Sequence, residues 1–204
     1  DKVTLAFDMA DKYRMPAMIL ADGLLGQMME PVTFPDKKTE FEEKPWATTG
    51  HGYKRKHNIT NSLYLKPEEL EASIKARFKR YDEIKADHTE AELYLTDDAE
   101  IVVAAYGATA RVAKSAVNLA RAEGIKAGLF RPITLWPFPE KELNEASKNA
   151  KVILDVEMSM GQMVEDVKLA INCSKPVEVY GRTGGVIQTP DEILGQIKKC
   201  GGVE

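Results

Sequence analysis

Ile101-Val102-Val103-Ala104-Ala105-Tyr106-Gly107-Ala108-Thr109 decides the fold. A short apolar run without polar alternation is the pattern of a strand buried on both faces, as in a parallel sheet. Tyr106-Gly107 turns the chain, and 109–123 continues at helical spacing until Gly124 ends it. The unit then repeats: 126–130 reads as a strand and 139–149 as a helix, 152–156 as a strand and 161–172 as a helix. A short strand at 177–180 and a helix at 191–199 close the chain. Single helices alternating with strands at this spacing predict an α/β fold, a mostly parallel sheet with helices on both faces.

Upstream of this core the pattern changes. Pro67-Glu68-Glu69 opens a helix running to about 86, with proline and carboxylates suited to its first turn. Leu70, Ile74, Phe78, Tyr81 and Ile84 form one apolar stripe along it. From 31 to 61 periodicity is lost: Pro31, Pro35 and Pro45 interrupt it, and charge dominates at 36–40 and at Glu42-Glu43-Lys44. So long a structureless stretch reads as an arm lying over another surface. Residues 2–14 have helical spacing, and the apolar run Pro16-Ala17-Met18-Ile19-Leu20-Ala21 reads as a buried parallel strand. A helix and one strand cannot bury both their faces, and the first residue is Asp1. The pair is therefore expected to close a domain whose earlier part is missing. The expected division is 1–31, 32–96 and 97–204.

With 204 residues and 44% hydrophobic side chains, the chain can build an ordinary core. A net charge of −4 argues against non-specific nucleic-acid binding, which draws on excess Lys and Arg. Cys173 and Cys200 are far apart and form no C-x-x-C pair, so an iron–sulfur cluster or structural zinc site on this chain alone is not expected. So few cysteines suit a reducing cytosol, and a cytoplasmic location is expected. No apolar run is long enough for a transmembrane helix, and no secretion signal is visible.

Open parallel sheets carry their sites at the carboxyl ends of the strands. Tyr106-Gly107 begins a helix whose free N–H groups could hold an anion, but one glycine falls short of a dinucleotide fingerprint and a tight turn explains it equally. Asp155 and Glu157 lie two apart, on one face of a strand; helix capping or a subunit contact competes with acid–base work there. Arg131-Pro-Ile-Thr-Leu-Trp-Pro-Phe-Pro139 holds Trp136, Phe138 and three prolines, and reads either as an interface anchor or as a loop on its own core. Gly181-Arg182-Thr183-Gly184-Gly185 is either a glycine turn or an anion cradle with Arg182 as partner. His51-Gly-Tyr-Lys-Arg-Lys-His57 lacks the further ligands of a metal site and reads as a solvated or subunit-facing loop. The methionines of Gly26–Glu30 and Met158–Met163 suit irregular gaps.

Several of these segments occur together in one family. Asp22-Gly-Leu-Leu-Gly-Gln-Met-Met-Glu-Pro31, Arg55-Lys-His-Asn58, Ser62-Leu-Tyr-Leu65, Ala105-Tyr-Gly107 and Arg131-Pro-Ile-Thr-Leu-Trp-Pro-Phe-Pro139 follow its order. So do Val156-Glu-Met158, Gly161-Gln-Met-Val-Glu-Asp-Val167, Tyr180-Gly-Arg182 and Gly184-Gly185. The chain resembles the C-terminal part of the α subunit of 2-oxoacid:ferredoxin oxidoreductases, closest to the 2-oxoisovalerate (branched-chain) type with the 2-oxoglutarate type next. The resemblance implies that 1–31 is the tail of a thiamine pyrimidine-binding domain and that 32–96 is an arm with one long helix. It implies that 97–204 is a transketolase C-terminal-like domain.

The reaction it implies is oxidative decarboxylation of a 2-oxoacid with coenzyme A, giving acyl-CoA, carbon dioxide and reduced ferredoxin. Thiamine diphosphate carries that chemistry. The resemblance places the diphosphate and magnesium on a β subunit and the iron–sulfur clusters on other domains or subunits, with γ and ferredoxin-like subunits and ferredoxin as partners. Self-association is a further option. No catalytic residue, cofactor or metal is expected on this chain; Tyr106, Gly107, Arg131, Glu157, Gln162 and Arg182 are the candidate surface for assembly or coenzyme A access. Rival readings are the C-terminal domain of a transketolase or dehydrogenase E1 β chain, and a non-enzymatic interaction module.

Overall fold

The computed structural model describes residues 2–34 and 43–202. Pro35, the charged run 36–40 and Glu42, which the sequence assigns to the arm, lie outside the described residues. The chain divides into two compact units, residues 1–28 with 80–204, and residues 29–79.

The first unit is built on a five-stranded sheet in the order β1-β3-β2-β4-β5. These strands are β1 (Ala91–Tyr94), β2 (Ile101–Ala104), β3 (Ala127–Pro132), β4 (Val152–Glu157) and β5 (Val177–Gly181). β2 pairs in parallel with β3 and β4, and β4 with β5, while β1 runs antiparallel to β3. Every residue of β2 and β4 is buried, as expected of central parallel strands covered on both faces.

Two apolar clusters show how the faces are covered. Ala110, Ala113, Val117 and Ala120 of α4 (Gly107–Ala122) and Ile193 and Ile197 of α7 (Pro190–Gly201) pack on Val103, Leu129 and Leu154. On the other face, Leu143 of α5 (Glu140–Ala146) and Met163 and Val167 of α6 (Met163–Ala170) pack on Val102, Phe130 and Ile153. Helices on both faces of a mostly parallel sheet are the predicted architecture. Local signals set the ends: Thr189 and Glu192 close a reciprocal capping box on α7, with Pro190 opening the helix and Gly202 ending it at φ +67°.

Two elements depart from the sequence reading. β1 was not expected: at four residues it carries almost no periodicity, and it is held by antiparallel pairing with β3 and by the Thr134 hydroxyl, which accepts from the Glu90 N–H at 3.0 Å. The run at 16–21 is not a strand but extended coil, because no strand among the described residues lies beside it to complete a ladder. Its side chains are correspondingly open, with Met18 80% and Leu20 67% exposed. α1 (Lys2–Tyr13), the short α2 (Gly23–Gln27) and the end of α3 (Pro67–Asp87) complete this unit. Tyr13, buried, meets His88 Nε2 through its hydroxyl at 3.0 Å, and the Arg80 guanidinium donates to the Tyr13 carbonyl at 3.0 Å.

The second unit holds the start of α3 and the preceding irregular chain. Small side-chain turns order it: Asn61 accepts from the Leu63 N–H at 2.9 Å and donates to the Leu63 carbonyl at 2.8 Å. Asn58 donates to the Pro45 carbonyl at 3.2 Å.

Candidate functional site

The strand order creates a switch point between β2 and β4: from β2 the chain crosses to β3 on one side, then returns past β2 to β4 on the other. Crevices at the carboxyl ends of such strands are where open α/β sheets bind ligands. Tyr106-Gly107 follows β2 here, and Glu157 ends β4.

Both helix N-termini at this crevice are occupied by carboxylates of the chain itself. Gly107 adopts φ +58°, which suits glycine, and starts α4. Asp22 reaches the start of that helix: Oδ1 accepts from the Leu25 N–H at 2.7 Å, and Oδ2 from the Ala108 N–H at 3.4 Å. One carboxylate therefore caps both α2 and α4. At α6, Glu157 Oε1 accepts from the Gln162 N–H at 2.8 Å and the Val164 N–H at 3.2 Å, and the Ser159 hydroxyl donates to Oε2 at 2.9 Å. A negative group at a helix N-terminus is stabilised by the unpaired N–H groups and the helix dipole.

Glu157 also ties the neighbouring loops together. Its carbonyl accepts from Gln188 Nε2 at 2.6 Å and from the Arg182 N–H at 3.1 Å. Gly181 passes so close to the Ser159 carbonyl that a methyl at that position would collide with it. The strand end, the 158–162 turn and the 182–188 segment are thus one packed corner.

Asp155 lies one step back on the same face of β4. It is fully buried and no donor reaches either of its oxygens. Burial first, then hydrogen bonding with Glu157 and the charge of Glu157, push its carboxyl up to about 9. Burial opposes ionisation of Glu157 too, but its bonds with Asp155, the Gln162 N–H and Ser159 hold it below its ordinary value. The two carboxyls therefore carry one proton at neutral pH, with the charge on Glu157. Half-buried Tyr106 feels the same environment: burial, then the charge of Glu157, push its phenol above the ordinary value.

Of the six candidate surface residues, five gather here: Tyr106, Gly107, Glu157, Gln162 and Arg182. Arg182 is committed to Glu192 Oε1 at 2.7 Å. Arg131 is elsewhere. It alternates onto the α4 face of β3 and donates to Glu92 Oε2 at 3.0 Å, while Lys114 holds Oε1 at 2.6 Å. Lys114 and Arg131 together keep Glu92 below the usual carboxylate range. Gly161 does not open α6, which begins at Met163; it takes φ +103° in the turn before it. The Pro/Trp loop divides between its two readings. Phe138 packs on Phe130 with ring centres 6.0 Å apart, whereas Trp136 remains 56% exposed, edge-on to Tyr81.

Sequence reasoning missed Asp22 and Gln188 because their partners are 86 and 31 residues away. It also missed an open apolar groove of about 500 Å³, lined by Leu5, Met9, Ile19, Ile84, Ile133 and Trp136 among others. Asp155 did leave a signal, a single acid inside the apolar run Val152-Ile-Leu-Asp-Val156.

Comparison with known proteins places this arrangement. The family described as pyruvate:ferredoxin oxidoreductase core domain II matches residues 99–193. Over 198 residues the chain is 44% identical to the ketoisovalerate oxidoreductase subunit VorB of Methanothermobacter marburgensis, covering 97% of this chain and 56% of that subunit. This chain belongs to the 2-oxoacid:ferredoxin oxidoreductase family. Within the family, the 2-oxoglutarate synthase subunit KorA of the same organism is 32% identical, with 97% of this chain and 60% of that subunit covered. The chain thus spans little more than half the length of these curated relatives. A solved 2-oxoglutarate:ferredoxin oxidoreductase from Magnetococcus marinus shares the fold, with a TM-score of 0.58 at 22% identity over 70% of this chain and 25% of that one.

The family's cofactors can be tested against these residues. Asp155 keeps its proton, the carboxylate oxygens of Glu157 are engaged by the chain's own donors, and no three metal-ligating side chains converge among the described residues. Cys173 and Cys200 are two thiols where a cluster needs about four. This donor set does not fit thiamine diphosphate with magnesium, nor an iron–sulfur cluster.

Proposed function

We propose that this chain is a structural and assembly part of a thiamine-diphosphate-dependent enzyme that oxidises 2-oxoisovalerate. The complete reaction takes a 2-oxoacid, coenzyme A and two oxidised ferredoxins to the acyl-CoA, carbon dioxide, a proton and two reduced ferredoxins. The observation that carries the substrate is the identity of 44% to a ketoisovalerate oxidoreductase subunit against 32% to a 2-oxoglutarate synthase subunit. The observation that supports a non-catalytic role is the crevice itself, where Asp22 and Glu157 hold the positions a ligand anion would take.

On this reading the thiamine diphosphate, magnesium and iron–sulfur clusters sit on partner subunits, a β chain together with γ and ferredoxin-like chains. The division 1–31, 32–96 and 97–204 into pyrimidine-domain tail, arm and transketolase C-terminal-like domain belongs to the same proposal, as does a cytoplasmic location. No helix among the described residues is long and apolar enough to cross a membrane.

The test is anaerobic affinity isolation of the full parent subunit with its partners, followed by viologen reduction with 2-oxoisovalerate and 2-oxoglutarate in parallel. Coenzyme-A-dependent activity faster with 2-oxoisovalerate is expected. Faster turnover of 2-oxoglutarate would overturn the substrate, and a colourless inactive assembly would overturn the enzyme reading.

A further inference from the structure

The apolar stripe of α3 is buried at one end and open at the other. Ile84 is buried near its close, whereas Leu70, Ile74 and Phe78 are 40%, 39% and 59% exposed. From 67 to 79 every residue is exposed except Ser73, which is half-buried and donates through its hydroxyl to that of Tyr64 at 3.4 Å. Isolated helices shorter than about 12–15 residues are marginal in water, and helices in proteins are held mainly by packing an apolar face. This half of α3 carries such a face with water still on it.

The order of residues about Ile74 selects the occupant. Leu70 and Phe78 stand four residues to either side of it, so the apolar pattern is symmetric. The charges are the reverse of symmetric. Glu68, Glu69 and Glu71 precede Ile74 with no base among them from 67 on, and Lys75, Arg77 and Lys79 follow it with no acid among them up to 79. A helix laid antiparallel on this one must therefore be apolar at its middle, basic where α3 is acidic and acidic where α3 is basic. The same stretch of α3, turned end for end, meets all three conditions.

We propose that α3 pairs antiparallel with α3 of a second copy of this chain, about a two-fold axis at Ile74. A two-fold contact is self-complementary, each residue meeting on the partner what its own counterpart meets in return. Ile74 then lies on Ile74 of the other copy, and Leu70 is level with Phe78. Glu71 and Lys75 share one flank of the stripe and already pair within the helix at 2.8 Å. At 1.5 Å of rise per residue, the axis sets each Glu71 about 3 Å along the helix from the other copy's Lys75. The two intrahelical pairs thus join into one ring of alternating charge. A parallel arrangement would set acid against acid and base against base. Three apolar side chains from each copy are fewer than a free-standing dimer needs, so the pairing belongs to the assembled complex. It does not depend on which 2-oxoacid that complex oxidises.

The experiment places single cysteines in the full parent subunit, Ile74→Cys and Leu70→Cys, and follows disulfide-linked pairs of that subunit in the intact complex under a glutathione redox buffer. Wild type, with Cys173 and Cys200, sets the background. The two positions are equally exposed, but only 74 lies on the axis; the two copies of residue 70 would be about 12 Å apart along the helices, beyond disulfide reach. Ile74→Cys is expected to link at least tenfold faster than Leu70→Cys. Adding Glu71→Lys, which leaves only ammonium groups around the axis, should slow that linking at least tenfold, and adding Lys75→Glu as well should restore it to within twofold. Equal rates at 70 and 74, or no linking above background at 74, overturn the proposal; the second result would give the face to another part of the same chain. A link from position 74 to a different subunit overturns it in favour of that subunit, and a rate that Glu71→Lys leaves unchanged overturns the charge-matched antiparallel register.

Discussion

Replacing Asp155 by asparagine should stabilise the protein at neutral pH, although it alters a fully buried polar residue. The carboxyl titrates from an ordinary 3.8 up to about 9 in the folded chain. Between those values the folded state binds the proton and the unfolded state does not. Unfolding therefore becomes easier as pH rises, at about 1.4 kcal/mol per pH unit for one proton. The contribution of the acid is complete below its unfolded value, shrinks through neutrality and is gone above its folded value. At pH 7 the accumulated loss is about 4 kcal/mol relative to acid conditions.

An amide at 155 has no proton to acquire on folding, and its NH2 can face Glu157 as the acid's O–H does. The variant should match wild type near pH 4, gain on it through neutrality, and run parallel to it above about 9. Urea unfolding followed by Trp46 and Trp136 fluorescence, at unit steps of pH, measures the difference between the two curves. Other titrating groups, such as Tyr106, largely cancel in that difference. Curves that stay parallel from pH 5 to 9 would refute a shared proton in this pair.

Glu157→Gln should remove the charge that caps α6 and leave two N–H groups with one weaker acceptor, a loss of about 2 kcal/mol at pH 7 by denaturant midpoint. Because the Glu157 carboxyl is held below its ordinary 4.5, that loss should vanish only as pH falls through its folded value. Gly181→Ala should cost about 3 kcal/mol or prevent folding, since the added methyl meets the Ser159 carbonyl and backbone cannot step aside; an unchanged melting temperature would contradict the packed corner. Phe130→Ala, in the core against Leu143 and Phe138, should cost about 4 kcal/mol by the same measurement. Arg131→Ala should cost about 0.5 kcal/mol, because Lys114 still holds Glu92 in a partly exposed pair.

The parallel core was legible because its information is local. Four strands and their helices announce themselves by apolar runs, glycine ends and the Pro190-Asp191-Glu192 start of the last helix. What failed was non-local. The run at 16–21 has the composition of a buried strand, but a strand exists only where a neighbour completes its ladder, and composition does not show the neighbour. Conversely, Ala91–Tyr94 is too short to announce itself and becomes a strand because β3 is there to pair with. The site divides the same way. Tyr106, Glu157 and Arg182 were visible as residues following strands, whereas Asp22 comes to the crevice from a distant turn. The placement of Arg131 turned on one-residue alternation along β3, which puts Phe130 on one face and Arg131 on the other.

A switch point offers helix N-termini, and any anion of the right reach can satisfy them. Asp22 does so at α4, and Glu157 at α6, where it also holds the loops at 158–162 and 182–188. An incoming phosphate would have to displace an intramolecular carboxylate, whose effective concentration at the helix end is far above that of a free ligand. Filling the crevice from within therefore rigidifies the rim and also closes it to the cofactors it would otherwise accept.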